Sequence, residues 1–349
     1  MRNMQKQKTQ YNNIDLFKII FAVIVVMIHT TPFMDISETA NWYFSNTIAN
    51  LAVPFFFVTS GFLLFGKLAS CEAERRDNAV KKYLLHIVRM YLIWCVIWIP
   101  WKALNYYNIG AFTAEDFIKY IRDIIFVSGG DALWYLPALA SAVGIVYVLR
   151  YKFNLSKTII LTSSLILYVI GCLISSWYGI FENKVLIDAY YDIFVSADNG
   201  VLNGMAFVTI GMITAERKEK SGIAIDGVWF VVLFLLLCIE SYMINKCGFN
   251  LAGVCNNILL PATTFFMFRL ILSIKIEGKE ELFRALRDYS TIIYLCHCFI
   301  IRSIKMVLGI VGLSLPHTLL FVITLTLSCI FAVCLRGMSK KYAWCKLLY

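Results

Sequence analysis

The feature that most constrains this chain is a succession of about ten apolar runs, each near the length of a bilayer crossing. A spanning helix needs roughly 20 mostly apolar residues. The runs cover 14–33, 47–65, 84–104, 132–149, 157–177, 195–214, 227–245, 254–273, 289–309 and 317–336. Composition agrees: 60% of residues are hydrophobic, 15% are charged, and the mean hydropathy is +0.73. A soluble domain of 349 residues has too little interior to hide that much apolar surface. The expected fold is all-α, a polytopic bundle of about ten transmembrane helices in a lipid bilayer, with residues 1–349 forming a single transmembrane domain. No internal repeat of roughly 20–50 residues is visible, so an inverted-repeat transporter is not indicated.

Basic residues orient the bundle, because short cytoplasmic loops carry the excess of Lys and Arg. With the N-terminus in the cytoplasm, 22 of the 32 Lys and Arg residues fall inside, 4 outside and 6 within runs. The inner clusters include Arg75, Arg76, Lys81 and Lys82, then Arg150, Lys152 and Lys157. The outer loops hold only Lys119, Arg122, Lys184 and Lys246. Both termini are therefore expected in the cytoplasm. The first run follows basic residues, as a signal peptide would, but it exceeds a signal core of about 7–15 residues and reads as a retained helix.

The formal charge of +10 does not imply nucleic acid, since the charges sit in short clusters between apolar runs and no DNA-binding motif occurs. Most of the 11 cysteines lie inside apolar runs, where thiols behave as small hydrophobes. No CxxC pair, zinc-type Cys/His spacing, HExxH, GxSxG, nucleotide loop or EF-hand pattern is present, so no metal is expected. Cys247 and Cys255 flank an outer loop, where a disulfide would suit an oxidising compartment. The charged stretch 71–83 is expected to extend the third helix into the cytoplasm. Residues 113–127 form a capping-box start at Thr113 and Asp116, then an apolar stripe of Phe117, Ile118, Ile121, Ile124 and Ile125. That pattern fits a helix lying on the outer membrane surface or one packed on the bundle.

Ionisable residues inside spans are expensive and usually functional. Lys18 and His29 stand eleven residues apart on the first run, ~16 Å along a helix and about three turns, hence on one face. Lys18 lies towards the cytoplasm and His29 in the outer half. The bland readings are snorkelling of Lys18 to the headgroups and a helix–helix hydrogen bond at His29. Glu240, His297 and Arg302 are further candidates, with Glu240 and Arg302 expected to pair beside an outer vestibule. His297 reads equally as a structural histidine.

Several short segments, in order, resemble the acyltransferase-3 family of membrane acyltransferases. Asp15-Leu-Phe-Lys18 through His29 is similar to its opening basic residue, ten residues, then His. Val53-Pro-Phe-Phe-Phe-Val-Thr-Ser60-Gly61-Phe62 looks like its "PxFFxxSGF" segment, and Arg89 fits its basic residue early in the third helix. Leu133-Trp134-Tyr135-Leu136 resembles its "LWFL", and Ser290 through Ile293-Tyr294-Leu295-Cys296-His297 its "SxxIYLxH".

The resemblance implies a multi-pass protein of a bacterial cell membrane that moves an acyl group, commonly acetyl, from cytoplasmic acyl-CoA to an extracytoplasmic hydroxyl or amine. The acceptor would be a surface glycan or a small molecule, so that the chemistry would be O-acetylation or its amine equivalent. His29 would act as base or transient acyl carrier, with Lys18 as its catalytic partner. Lys18, Arg76, Lys82 and Arg89 would hold the CoA phosphates. Ser60, with Thr59 and Asn50, would face the thioester oxygen, and Trp134, Glu240, His297 and Arg302 the acceptor. Each has a structural alternative: topology for the loop cations, helix packing for Ser60. The membrane region of serine racemases of vancomycin resistance also resembles this family. A serine-transport domain, which a cytoplasmic catalytic domain could follow in a longer protein, is the second reading.

Overall fold

The computed structural model describes residues 11–109, 113–216, 222–250 and 256–349, with side chains at 105–109 excepted. Among these the secondary structure is helical, with no strand. The helices are α1 (Asn12–Thr30), α2 (Glu38–Asn46), α3 (Ala52–Leu68), α4 (Ala73–Ile109), α5 (Ala114–Phe126), α6 (Tyr135–Tyr147), α7 (Lys157–Ile174), α8 (Val185–Phe194), α9 (Met205–Glu216), α10 (Ile223–Cys247), α11 (Leu260–Ser273), α12 (Glu280–Ile310) and α13 (His317–Met338). Short 3-10 and π turns link several of them.

Every one of the expected runs is met by a helix, but not all are full crossings. Among the described residues seven helical segments are long and apolar enough to span, and α9 and α11 are shorter apolar helices. The α6 helix is also short, and a π turn at Val148–Lys152 prolongs it. Two runs begin later than the hydropathy suggests. Residues 195–199 are loop, because Asn199 caps the following turn by accepting the amides of Val201 and Leu202. Residues 256–259 are also non-helical. The charged stretch before the third run does extend it, giving α4 37 residues, or ~55 Å. The capping box at Thr113 forms as read, and Phe117, Ile118, Ile121 and Ile125 of α5 are exposed. Two short helices, α2 and α8, lie in loops where the sequence showed no spanning run. Cys255, the basic residues 2, 6 and 8, and the cluster 217–220 lie outside the described residues.

Helix α1 sits inside the bundle, packed by α3, α11, α12 and α13. The tightest crossing joins α3 to α9, where two glycines let backbones touch: a Cβ on Gly61 would collide with the Val208 carbonyl, and one on Gly211 with Val58 and Phe62. Large apolar side chains on the outside, such as Leu92, Val96, Leu235, Ile239, Val322 and Ile330, are exposed, as lipid-facing residues must be.

Candidate active site within the bundle

The polar interior starts at the end of α1 expected to face the cytoplasm. Asp15 is buried and accepts two parallel hydrogen bonds from Arg287 on α12, both 2.9 Å. Asn13 donates to the Ile271 carbonyl at 2.6 Å, tying α11 to the same end. One turn on from Asp15, Lys18 is enclosed by protein yet keeps accessible surface, and has no hydrogen-bond or ion-pair partner among the described residues. Its charged neighbours are Asp15, which attracts it, and Arg287, which repels it.

A separate line of hydroxyl and aromatic side chains runs through the bundle. Ser60 Oγ lies 3.3 Å from the Tyr135 hydroxyl and also bonds Tyr83. The Tyr135 and Tyr294 rings are 5.7 Å apart, and Tyr294 is 6.2 Å from the His297 ring. Lys18, Tyr83, Tyr135 and Tyr294 are half-buried, while His29 is exposed.

The line ends at a cluster. The His29 and His297 rings stand 5.1 Å apart. His29 is in the last turn of α1, just before Thr31 adopts a left-handed backbone (φ 50°) and Pro32 turns the chain away. His297 is fully buried, and its Nδ1 meets two carbonyls, Tyr294 at 2.7 Å and Ile293 at 3.1 Å. Carbonyls only accept, so Nδ1 carries the proton and Nε2 presents its lone pair. That Nε2 is 3.3 Å from Cys298 Sγ. One donor atom from each of His29, His297 and Cys298 lies within 4.8 Å of the others. This donor set also suits a zinc-like ion, which the linear spacing gave no means of seeing.

Outside the cluster lies a cavity of about 320 Å³ lined by Trp98, Trp101, Lys102, Asp131, Arg302 and Lys305. Arg302 pairs with Asp131 at 2.6 Å. Lys102 and Lys305 have no ion-pair partner among the described residues, and the buried Trp98 indole nitrogen has no acceptor.

The sequence candidates are placed unevenly. His29, Ser60 and His297 fall on this line, whereas Lys18 stands beside Asp15 and Arg287. Arg302 reaches the outer cavity, but its expected pairing with Glu240 does not form. Glu240 instead accepts the amides of Ile258 and Leu259, at 2.6 and 3.2 Å, and so caps the start of α11. Helix starts leave amides unpaired, and a carboxylate there satisfies them. Trp134 stands beside Phe57 and lines a separate cavity of about 440 Å³; its neighbour Tyr135 is the one on the line. Lys82 and Arg89 are exposed on α4, away from its buried stripe of Ile87, Met90, Trp94 and Trp98, and Arg89 bonds His86 at 3.2 Å. Arg76 stacks 4.7 Å over Tyr151. Among the described residues none of these three cations bonds Lys18. Of the other oxyanion candidates, Asn50 bonds Asn257 at 2.9 Å, and buried Thr59 has an unpartnered hydroxyl. Cys298, Tyr83, Tyr294 and the outer lysines were not singled out beforehand. Cys298 sits among many apolar-run cysteines, so only the fold distinguishes it.

Fold and site together define a multi-pass membrane protein in which two histidines and a cysteine from α1 and α12 meet. A family model described as an acyltransferase domain matches residues 11–336, and the chain belongs to that acyltransferase-3 family. Curated relatives include two amino-acid racemases of Enterococcus faecalis. One is 31% identical over 68% of this chain and 33% of its own length, the other 27% identical over 96% and 47%. A serine/alanine racemase of Enterococcus gallinarum is 26% identical over 95% of this chain and 46% of its own. The chain thus spans half or less of the curated relatives it matches. No solved structure matches it.

Proposed function

We propose that the chain moves an acyl group, acetyl in the simplest case, from acyl-CoA on the cytoplasmic side to a hydroxyl or amine presented from the other face of a bacterial cell membrane. The observation that supports this reading is the placing of Lys18 towards one end of α1 and of the His29, His297 and Cys298 cluster at the other. It is the geometry a reaction needs when donor and acceptor enter from opposite sides.

In this reading Lys18 and the basic residues at the cytoplasmic mouth, Arg76 among them, attract the CoA phosphates. Ser60 and the Tyr135 hydroxyl offer donors where the carbonyl oxygen gains charge. His29, open to the interior, takes the proton of the acceptor. The outer cavity, with two indoles and two unpaired lysines, suits a sugar-like or small acceptor that carries a carboxylate or phosphate.

A second reading, membrane passage of an amino acid such as serine, is favoured by the relatives, which are amino-acid racemases. One experiment separates the two. The protein is reconstituted in vesicles with labelled acetyl-CoA on one side and acceptors on the other. Acceptor-dependent CoA release that falls by about 100-fold or more in His29→Ala supports transfer. Serine flux without CoA, untouched by that substitution, refutes it.

A further inference from the structure

Resting on the acyltransfer reading, we propose that Cys298 is the acyl carrier: it accepts the acyl group from CoA as a thioester before His29 directs the acceptor to it. Three observations converge. First, the Sγ of Cys298 is 3.3 Å from His297 Nε2, within reach of a sulfur hydrogen bond. Second, the two carbonyls on Nδ1 fix the tautomer, so Nε2 is the acceptor and the thiol S–H the donor. A nucleophile next to a base, with the base held by a third group, is the arrangement that activates thiols and hydroxyls in covalent catalysis. Third, a His29 ring nitrogen lies within 4.8 Å of the same sulfur, which leaves room for one carbonyl carbon between them. Two imidazoles beside one thiol supply a separate base for each half of a two-step transfer.

The chemistry balances. In the first step His297 Nε2 takes the thiol proton and Sγ attacks the thioester carbonyl. The Sγ–carbon bond forms, the carbon–sulfur bond to CoA breaks, and the departing CoA thiolate takes the proton from His297. One thioester replaces another, so little free energy is lost. In the second step His29 removes the proton of the acceptor hydroxyl or amine, whose oxygen or nitrogen attacks the Cys298 thioester. The Sγ–carbon bond breaks and that proton returns to Sγ, restoring the thiol. No oxidant, reductant or metal enters either step.

A covalent carrier also answers the geometry of the bundle. Lys18 and His29 lie ~16 Å apart along α1, so the CoA headgroup and the acceptor approach from opposite ends of one narrow interior. With the acyl group parked on Cys298, CoA can leave before the acceptor arrives.

The test uses the full chain in nanodiscs with labelled acetyl-CoA and no acceptor. Wild type is expected to release one burst of CoA and to carry one acyl group on the peptide containing Cys298, removable by neutral hydroxylamine. Cys298→Ala should lose the label and slow acceptor-dependent turnover by of order 10³-fold, as loss of other nucleophiles does. Cys298→Ser should trap a hydroxylamine-resistant ester, while the neighbouring Cys296→Ser should behave as wild type. Initial rates with both substrates varied should give parallel double-reciprocal lines. Wild-type turnover in Cys298→Ala, or intersecting lines, overturns the thiol carrier and leaves acyl transfer standing. Turnover abolished by a zinc chelator and restored by zinc, with no acyl-enzyme, overturns it in favour of an ion on the same three atoms. Absence of CoA release from wild type with every acceptor overturns both readings together.

Discussion

The crossing of α3 and α9 sets the position of Ser60, and one added methyl group tests it. In Gly61→Ala the new Cβ would stand 3.0 Å from both the Cα and carbonyl carbon of Val208, with the carbonyl oxygen nearer still. Ordinary van der Waals contact begins near 3.4 Å, and the obstructing atoms are backbone, which cannot rotate aside. The reciprocal Gly211→Ala meets Phe62 N at 2.7 Å and Val58 C at 3.0 Å. Each methyl therefore forces the two helices apart by several tenths of an ångström along their tightest contact. Overpacking of this kind costs about 1–3 kcal/mol. We take about 2 kcal/mol, which at roughly 2–4 °C per kcal/mol lowers the melting temperature by roughly 4–8 °C. The double substitution should fall short of additive, since the first methyl already opens the gap. The contact between Ser60 and Tyr135 is 3.3 Å, so the same separation breaks it and activity should drop before the fold does. The assay is the apparent Tm of detergent-solubilised protein at one fixed scan rate. Gly144→Ala serves as control, because its Cβ would meet only Leu84 Cδ1 at 4.0 Å. Equal melting temperatures for Gly61→Ala and Gly144→Ala would refute the reasoning.

Three further outcomes follow from the ends of the bundle. Asp15→Asn should cost about 1–3 kcal/mol, read as a lower denaturation midpoint; the figure stays below that of a fully buried pair because the Arg287 side chain is 41% exposed. Asp35, in the loop after α1, accepts the amides of Thr318 and His317 at the start of α13, and these bonds, Thr318 foremost, hold its carboxyl below the usual range. A depressed folded value means the cap stabilises above the ordinary carboxylate range and is lost as pH falls through the lowered one. The apparent Tm of wild type should then decline between neutral pH and about pH 3 more steeply than that of Asp35→Ala; parallel curves would remove Asp35 as a cap. Lys102→Ala with Lys305→Ala should raise KM for N-acetylmuramic acid, which carries a carboxylate, and leave that for neutral N-acetylglucosamine unchanged. An equal effect on both sugars would show that the cavity does not select for charge.

The sequence made the membrane bundle legible because a bilayer imposes a length on each apolar run, and length is a linear property. It also made the charged extension of α4 and the Thr113 cap legible, since both depend on residues a few positions apart. It misjudged the starts of α9 and α11 for a physical reason: hydropathy does not see capping. Asn199 and Glu240 end their loops through side-chain bonds to backbone amides, and Glu240 comes from a different helix. The same blindness produced the false Glu240–Arg302 pair. Two charges at similar depth look complementary in a linear reading, yet Asp131, from the loop before α6, occupies the position beside Arg302.

The reaction cluster shows the limit most sharply. His29 is conspicuous because an imidazole inside an apolar helix is costly, and Lys18 because it repeats on the same face. Nothing comparable marks Cys298, whose thiol is as cheap to bury as a methyl group. Its chemistry comes from the packing of α1 against α12, which sets His29 beside His297, and from two carbonyls that fix which nitrogen His297 offers. A residue of that kind has no signature of its own, since reactivity there belongs to the contact and not to the side chain. If the acyl group is held on Cys298, the histidine visible in the sequence and the histidine the sequence left open as structural divide one task. His297 serves the donor half, His29 the acceptor half, and the family's first-helix histidine alone would be insufficient for either turnover or labelling.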